Sequence, residues 1–466
     1  VTRAALAFAI AAALASASAL ADAPALSQPR PPVQTASLDA LDFIELQIAY
    51  TTVLARYYEK VAPHTLVEGA RNGIAADLVA SGIANANLPY VPAHIGVGDG
   101  EDFVDSMVVR ELARYGKRLD GHRLVQVTVA GELAALRDPY SLLFRPQAFR
   151  KFNAFLGNEG FGGIGAVVSF ETTGRVTIDR VLPGSPAERA GLAHGDELVS
   201  IDGRDVRELG GATGLRDALR GKIGTSVRLG YRDGAAGGSV VTRILVRAAV
   251  RDPEVTTALF GDAGYLALSR FGDRAGAELT GALKNFTADG ARAVVLDLRT
   301  NGGGYGDEAT AVASAFVRSG PIFTTRERGG AVTVATASGN PVWTGPLAVL
   351  VDGDTASAAE IVAGAIADDA VGTIVGTRTF GKGVVQSIFP LPDGSAVKLT
   401  TARYTTPKGR DIDRRGILPD VVVAEPAGSR IGDPATDPQL ARALEVLGSR
   451  SPSPAAAMDP APSSSP

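Results

Sequence analysis

The sequence predicts a multidomain α/β protein, with a helical N-terminal domain, a small β-rich domain in the middle and an α/β core toward the C-terminus. Three observations carry this. At 466 residues the chain is too long for one hydrophobic core. Apolar residues recur every three to four positions as far as about residue 155, then give way to short β-like runs between glycine turns. From about Asp252 strand-like and helix-like runs alternate.

Taken in order, residues 1–23 read as a secretory signal. Arg3 is the positive start, Ala4–Ala15 a short apolar stretch, and Ala19–Ala21 or Ala21–Ala23 an A-x-A-like cut. Left uncleaved, the same segment would be an N-terminal anchor. Residues 24–37, with Pro24, Pro29, Pro31 and Pro32, form a linker. The helical domain spans 38–156. In it Leu41, Ile44 and Ile48, then Tyr50, Val53, Leu54 and Tyr57, follow mostly helical spacing, and Asn87–Asp102 reads as loop. Leu124–Leu136 is a second helix, stopped by Arg137-Asp138-Pro139.

The β-rich domain, 157–249, has strand-like runs at Ile164–Ser169, Val176–Val181, Glu197–Ile201, Ser226–Tyr231 and Val240–Val246, with one helical insert at Gly214–Leu219. In the core, 250–424, strands are expected at Ala263–Leu268, Ala293–Leu298, Leu347–Val351 and Val371–Thr377. Helices are expected at Ala275–Phe286, Asp307–Val317 and Ala358–Asp368. Residues 425–466 hold a short helix at Pro438–Leu447, then a Ser/Pro/Ala tail from Ser449 whose composition predicts disorder.

Composition removes several function classes. A net charge of −4, without any Lys/Arg-rich run, gives no basis for nucleic-acid binding. Cysteine is absent, which excludes disulfides, thiol catalysis and cysteine-based zinc sites. The four histidines, His64, His94, His122 and His194, all precede the α/β core.

Three segments of the core have residues suited to chemistry. Asp297-Leu298-Arg299-Thr300-Asn301-Gly302-Gly303-Gly304 ends a strand and precedes a helix, so its backbone N–H groups can turn toward a ligand. A phosphate loop fits poorly, because Gly-Lys-Ser/Thr is missing. Asp352–Glu360 again joins strand to helix. Its Ser357-x-x-Glu360 pattern is a capping box, and the same geometry would hold a nucleophile at a helix N-terminus with the Ala358 N–H facing a developing oxyanion. Phe380–Gln386 sets Lys382 between two glycines at the start of a β-run, where Lys382, Val384 and Gln386 would share one face. Only eight of the 46 basic residues are lysines. With no histidine nearby, a buried neutral lysine is the base a serine would need, which makes a Ser–Lys hydrolase plausible.

Together these segments resemble the carboxyl-terminal processing peptidases, the tail-specific serine proteases. The likeness runs collinearly over about 300 residues. It takes in Gly131-Glu132-Leu133, Leu136–Ser141, Gly162–Ala166, Pro183–Ala187, Gly191-Leu192, Gly195-Asp196 and Ile201-Asp202-Gly203. It continues through Asp297–Gly304, Ser357–Glu360, Gly381–Gln386, Ala402–Gly409 and Gly416–Asp420. The part from Gly162 to Gly203 resembles a PDZ domain. Where the family usually has serines two places to either side of the nucleophile, this chain has Thr355 and Ala359, so Ser357 is the only serine there.

The resemblance implies an α/β-spiral, crotonase-like protease core in which Ser357 is the nucleophile and Lys382 the general base. Gln386 would position Lys382, and the N–H groups of Gly303 and Ala358 would form the oxyanion hole. In the PDZ domain, Gly163, Ile164 and Gly165 would cradle a peptide carboxylate while the peptide adds as a strand. The implied function is an exported serine endopeptidase of the periplasm or cell envelope, acting on proteins with accessible C-terminal tails and needing neither metal nor cofactor. Nucleic acid is not an expected partner; a homo-oligomer and an adaptor protein are both compatible with the family. Two alternatives stand beside it: a catalytically silent PDZ peptide-binding scaffold, and a crotonase-like acyl-CoA enzyme.

Overall fold

The computed structural model describes residues 38–448, apart from 158–160, 171–174, 183, 234–237, 252, 427, 428 and 430. The expected signal, linker and C-terminal tail lie outside the described residues. Two compact units divide the chain, one being Asn153–Glu254 and the other joining the residues up to Phe152 with those from Val255 onward.

The N-terminal part is helical: α1 Ala40–Arg56, α2 Pro63–Ala80, α3 Val97–Tyr115 and α4 Gly121–Ala135, then a short strand β1, Leu142–Phe144, and α5, Pro146–Leu156. Asp39 caps α1 through the N–H groups of Leu41 and Asp42. Helix α3 starts inside the stretch expected to be loop. Gly98 and Gly100 weaken the local helix signal, yet a Cβ at Gly100 would lie 2.1 Å from the Tyr50 hydroxyl. Close packing against α1 thus outweighs local propensity.

The unit Asn153–Glu254 holds β2 Phe161–Gly163, β3 Ala166–Phe170, β4 Val176–Val181, a one-turn α6 Pro186–Arg189, β5 Glu197–Ile201, β6 Arg204–Asp205, α7 Gly211–Leu219, β7 Ser226–Arg232, β8 Val241–Val246 and β9 Ala248–Val250. Strand order is β3-β4-β5-β7-β8, so β3 is an edge strand among the described residues. Ile164, Ile178, Leu198, Leu215, Val227 and Leu229 fill its core.

The chain then builds β10 Val255–Phe260, β11 Ala263–Leu268, α8 Ala275–Ala288, β12 Ala293–Asp297, α9 Gly306–Ser314, β13 Pro321–Glu327, β14 Val332–Thr336, β15 Leu347–Val351, α10 Ala358–Asp368, β16 Thr373–Gly376, β17 Val384–Pro390, β18 Ala396–Thr405, β19 Val421–Val422 and α11 Pro438–Val446. The main sheet, β10-β11-β12-β15-β16-β19, is parallel from β11 onward. Strand alternation turns Val294, Leu296 and Val349 toward α8, α9 and α10, while Val295, Ala348 and Leu350 face α11.

A second sheet, β1-β18-β13-β14 with β17 beside β18, carries the segment after Lys382. Val397 and Leu399 of β18, with Leu391 just beyond β17, pack into the core of the N-terminal helices. Arg328, just beyond β13, also donates to the carbonyls of Leu54 and Ala55 at the end of α1. The helices and the α/β core are therefore one packed body.

Candidate active site

Two strand-to-helix turns meet at the C-terminal ends of the parallel strands. Parallel order makes β12 and β15 neighbours, so residues 298–304 and 352–358 leave the sheet side by side. Three contacts stitch them together. Asp352 accepts from the Thr300 N–H at 3.0 Å, Thr355 Oγ1 donates to the Leu298 carbonyl at 2.9 Å, and the Ala356 N–H donates to the Asn301 carbonyl at 2.9 Å.

Behind the first turn, Arg299 is fully enclosed between the carboxylates of Asp297 and Asp437. Tyr265 donates to Asp297 at 2.7 Å. An arginine buried this deeply needs such bidentate partners on both sides. The pair fastens the glycine turn to Asp437, the N-cap of α11.

Ser357 sits at the N-cap of α10 with φ +57° and ψ −117°, outside the regions a side-chain-bearing residue ordinarily occupies. Such strain persists only where the surroundings over-determine it, which is common at functional sites. The expected capping box forms, with Glu360 accepting the Ser357 N–H at 3.0 Å. Ala358 opens the helix, so its N–H has no intrahelical acceptor.

Gly303 lies against this turn. A Cβ there would be 2.8 Å from the Ala356 carbonyl, 2.9 Å from the Ala358 nitrogen and 2.9 Å from Ser357 Cβ, and its φ of +98° also favours glycine. The two expected oxyanion donors are thus neighbours. The Gly303 N–H, however, already donates to Asn301 Oδ1 at 2.9 Å and would have to exchange that acceptor.

Lys382 precedes β17 rather than belonging to it, so strand alternation does not set its direction as the sequence suggested. Glu360 does. This enclosed carboxylate accepts from the N–H groups of Gly381 at 2.7 Å and Lys382 at 2.9 Å, and from the Thr379 hydroxyl. One side chain on α10 therefore holds the backbones of both Ser357 and Lys382. Burial pushes Glu360 up from the usual carboxyl range, opposed by these donors.

Burial pushes the Lys382 ammonium down to about 7, helped by repulsion from Lys398 and opposed by Glu360 and Asp138. Its Nζ lies 5.3 Å from the centre of the Tyr140 ring. Among the described residues no hydrogen bond joins it to the Ser357 hydroxyl. Gln386 opens onto the same hairpin, paired with Thr400, and its Nε2 is buried without a partner.

The neutral-prone lysine beside a strained serine and two adjacent backbone donors suits acyl transfer. The structure sets Gly303 against the Ser357–Ala358 turn and joins the backbones of Ser357 and Lys382 through Glu360. Sequence reasoning read Glu360 only as a cap and gave no part to Asp352 or Tyr140. The Asp352-Gly353-Asp354-Thr355 pattern signals an Asx-type turn, but nothing local reveals that Glu360 spans 22 residues to Lys382.

In the other unit, Gly163 ends β2, and Ile164 and Gly165 lead into β3. The Ile164 and Gly165 carbonyls accept from Ala187 and Leu182, each at 2.8 Å. Gly165 has φ +77°, and a Cβ there would lie 2.2 Å from Ser185 Cβ. The turn before β3, an edge strand among the described residues, is thereby fixed.

Comparison with known proteins gives this geometry its family. Residues 262–423 match peptidase family S41, and residues 177–233 match the PDZ domain. A carboxyl-terminal-processing protease from a Picosynechococcus species is 36% identical over 68% of this chain and 77% of its own. The chain belongs to the carboxyl-terminal-processing protease family. The carboxy-terminal processing protease CtpA of Bacillus subtilis is 31% identical over 72% of this chain and 74% of its own. Among solved structures, a photosystem II D1 C-terminal processing protease is 27% identical, covers 88% of this chain and 98% of its own, and superposes with a TM-score of 0.47. As a carboxyl-terminal-processing protease, the chain is a serine peptidase that carries a PDZ domain. Among the described residues, no helix is long and apolar enough to cross a membrane.

Proposed function

We propose that this protease is exported, grips substrate C-termini through its PDZ domain and cleaves peptide bonds with a Ser357–Lys382 dyad. The observation that carries the reading is the Glu360 carboxylate, which bonds the Ser357 and Lys382 backbones at 3.0 and 2.9 Å.

In the chemistry this supports, neutral Lys382 Nζ takes the proton as Ser357 Oγ attacks the scissile carbonyl. The tetrahedral oxyanion is met by the Ala358 N–H and by the Gly303 N–H once released from Asn301. The Lys382 ammonium then protonates the leaving amine, and water hydrolyses the acyl-Ser357. Gln386, whose amide nitrogen is buried without a partner, would orient Lys382 through its carbonyl oxygen. Substrate tails, apolar ones by family likeness, would add to the edge strand β3, with the carboxylate at Gly163, Ile164 and Gly165.

A serine-directed fluorophosphonate tests the dyad against a silent PDZ scaffold. Labelling should fall on Ser357 and vanish in Ser357→Ala, together with peptidase activity. A folded, purified chain that is neither labelled nor active supports the scaffold instead.

A further inference from the structure

Tyr140 lies in the turn Arg137–Ser141, which the sequence marks as the end of a helix and as part of the family likeness, with no role for the tyrosine. In the fold this turn is tied firmly. Asp138 accepts from the Tyr140 N–H at 3.0 Å and from the Ser141 hydroxyl at 2.6 Å. Ser141 Oγ in turn accepts from the Thr400 N–H of β18 at 3.0 Å. These bonds hold the backbone that carries Tyr140, and the Lys382 ammonium stands 5.3 Å from the centre of its ring.

Two further residues repeat the arrangement. Lys398 of β18 has its Nζ 5.8 Å from the centre of the Phe144 ring in β1. One short segment, 138–144, therefore offers an aromatic face to each of two neighbouring lysines. An aromatic face attracts an ammonium but has no comparable hold on a neutral amine.

We propose that the Tyr140 ring is a positioning element for Lys382, holding the lysine as an ammonium between turnovers and releasing it, once neutral, to the Ser357 hydroxyl. This rests on the reading of Lys382 as the general base. It accounts for the geometry seen, in which Lys382 is beside the ring and not bonded to Ser357. The charged groups facing Lys382 are Lys398 on β18, Glu360 on α10 and Asp138 in the turn. Around Tyr140 itself stand Asp413, Asp138, Glu360 and Arg414. Glu360 and Asp138 favour the ammonium, as the ring does, while Lys398 and burial oppose it.

The sign of the effect follows. Replacing the ring by an apolar side chain of similar bulk removes the attraction while retaining an apolar neighbour, so Lys382 loses its proton more easily. The test is kcat/KM against pH for the full chain, its Tyr140→Phe and Tyr140→Leu variants, and Lys382→Arg. Tyr140→Leu should move the rising limb to lower pH by about half to one unit. One unit below the wild-type apparent pKa, kcat/KM relative to each plateau should then be about three- to fivefold above wild type. Tyr140→Phe, which keeps the ring, should follow wild type. Tyr140→Met replaces the Leu variant if that one does not fold.

A readout independent of turnover is the ¹³Cε titration of Lys382 in a Ser357→Ala background, identified by the resonance lost in Lys382→Arg. The Leu variant should titrate at lower pH than the parent. An unmoved limb and titration in Tyr140→Leu, or an equal shift in Tyr140→Phe, overturns the assignment to the ring. Substantial activity in Lys382→Arg refutes the dyad itself, so the two failures are distinguishable.

Discussion

Glu360→Gln isolates the hub of the site with a nearly isosteric change. Oε1 accepts from Thr379 and Gly381, and Oε2 from Lys382 and Ser357. An amide can keep one of these sets, but its NH₂ must face two donors on the other. Hydrogen bonds to a charged acceptor contribute about 1.5–3 kcal/mol each, so losing two costs about 3–6 kcal/mol. Part is regained, because the variant no longer encloses a carboxylate that burial disfavours. A net destabilisation of about 2–4 kcal/mol is expected, and it should be visible as a fall of several degrees in Tm. Activity should suffer more than stability. Displacements of about 1 Å between nucleophile and base cost on the order of 100-fold, so kcat should drop by about that factor with KM little changed. Steady-state kinetics on a peptide substrate beside thermal unfolding separates the two effects. A kcat within about threefold of wild type, far short of the loss expected from misalignment, would refute the idea that Glu360 aligns the dyad.

Other outcomes follow from the same coordinates. Gly303→Ala adds a Cβ 2.8–2.9 Å from the backbone of residues 356–358 at φ +98°; kcat should fall by about 10²–10³-fold, as for a lost oxyanion donor, measured against Gly306→Ala, whose Cβ meets nothing nearer than 3.8 Å. Glu45 is buried beside Asp393 and Asp42, and burial followed by those charges pushes its carboxyl up to about 7. Because the folded value is raised, its proton is held in the folded state, and stability present below pH 4.5 is lost as pH rises toward 7. Glu45→Gln should therefore be more stable than wild type at pH 8 by up to about 3 kcal/mol and equal to it near pH 4, read from denaturant midpoints. A substrate with a free C-terminus should be cleaved faster than its C-terminally amidated twin if the turn before β3 reads a carboxylate; equal rates would contradict that role.

What could be read in the sequence was whatever depends on short-range pattern. Short, nearly continuous apolar runs mark β11 and β15, and the helical run Ala358–Asp368 coincides with α10. The strand-to-helix turns at Gly303 and Ser357 were legible because glycine and capping residues punctuate them. Helix α3 was misjudged at its start because its first turns are held by packing on Tyr50, which propensity cannot see. The direction of Lys382 was likewise hidden. It depends on Glu360, Tyr140 and Lys398, which reach it from a helix, a turn and a neighbouring strand. Nothing within ten residues of any of them signals the meeting. The occupied Gly303 N–H belongs to the same class, since the Asn301 amide that holds it is itself fixed by the Leu268 carbonyl at 2.7 Å.

The most direct measurement of the central claim is kcat/KM against pH for wild type, with Lys382→Arg and Lys382→Ala assayed at the plateau. A base must be able to surrender its proton, and an arginine guanidinium does not do so in a protein. With the Lys382 ammonium held down to about 7, the wild-type profile should rise through a limb centred near that pH. Both variants should be inactive to the same degree. A limb centred near that of a free lysine, or an arginine variant that keeps a substantial part of the activity, would contradict the dyad and send the search for a base elsewhere.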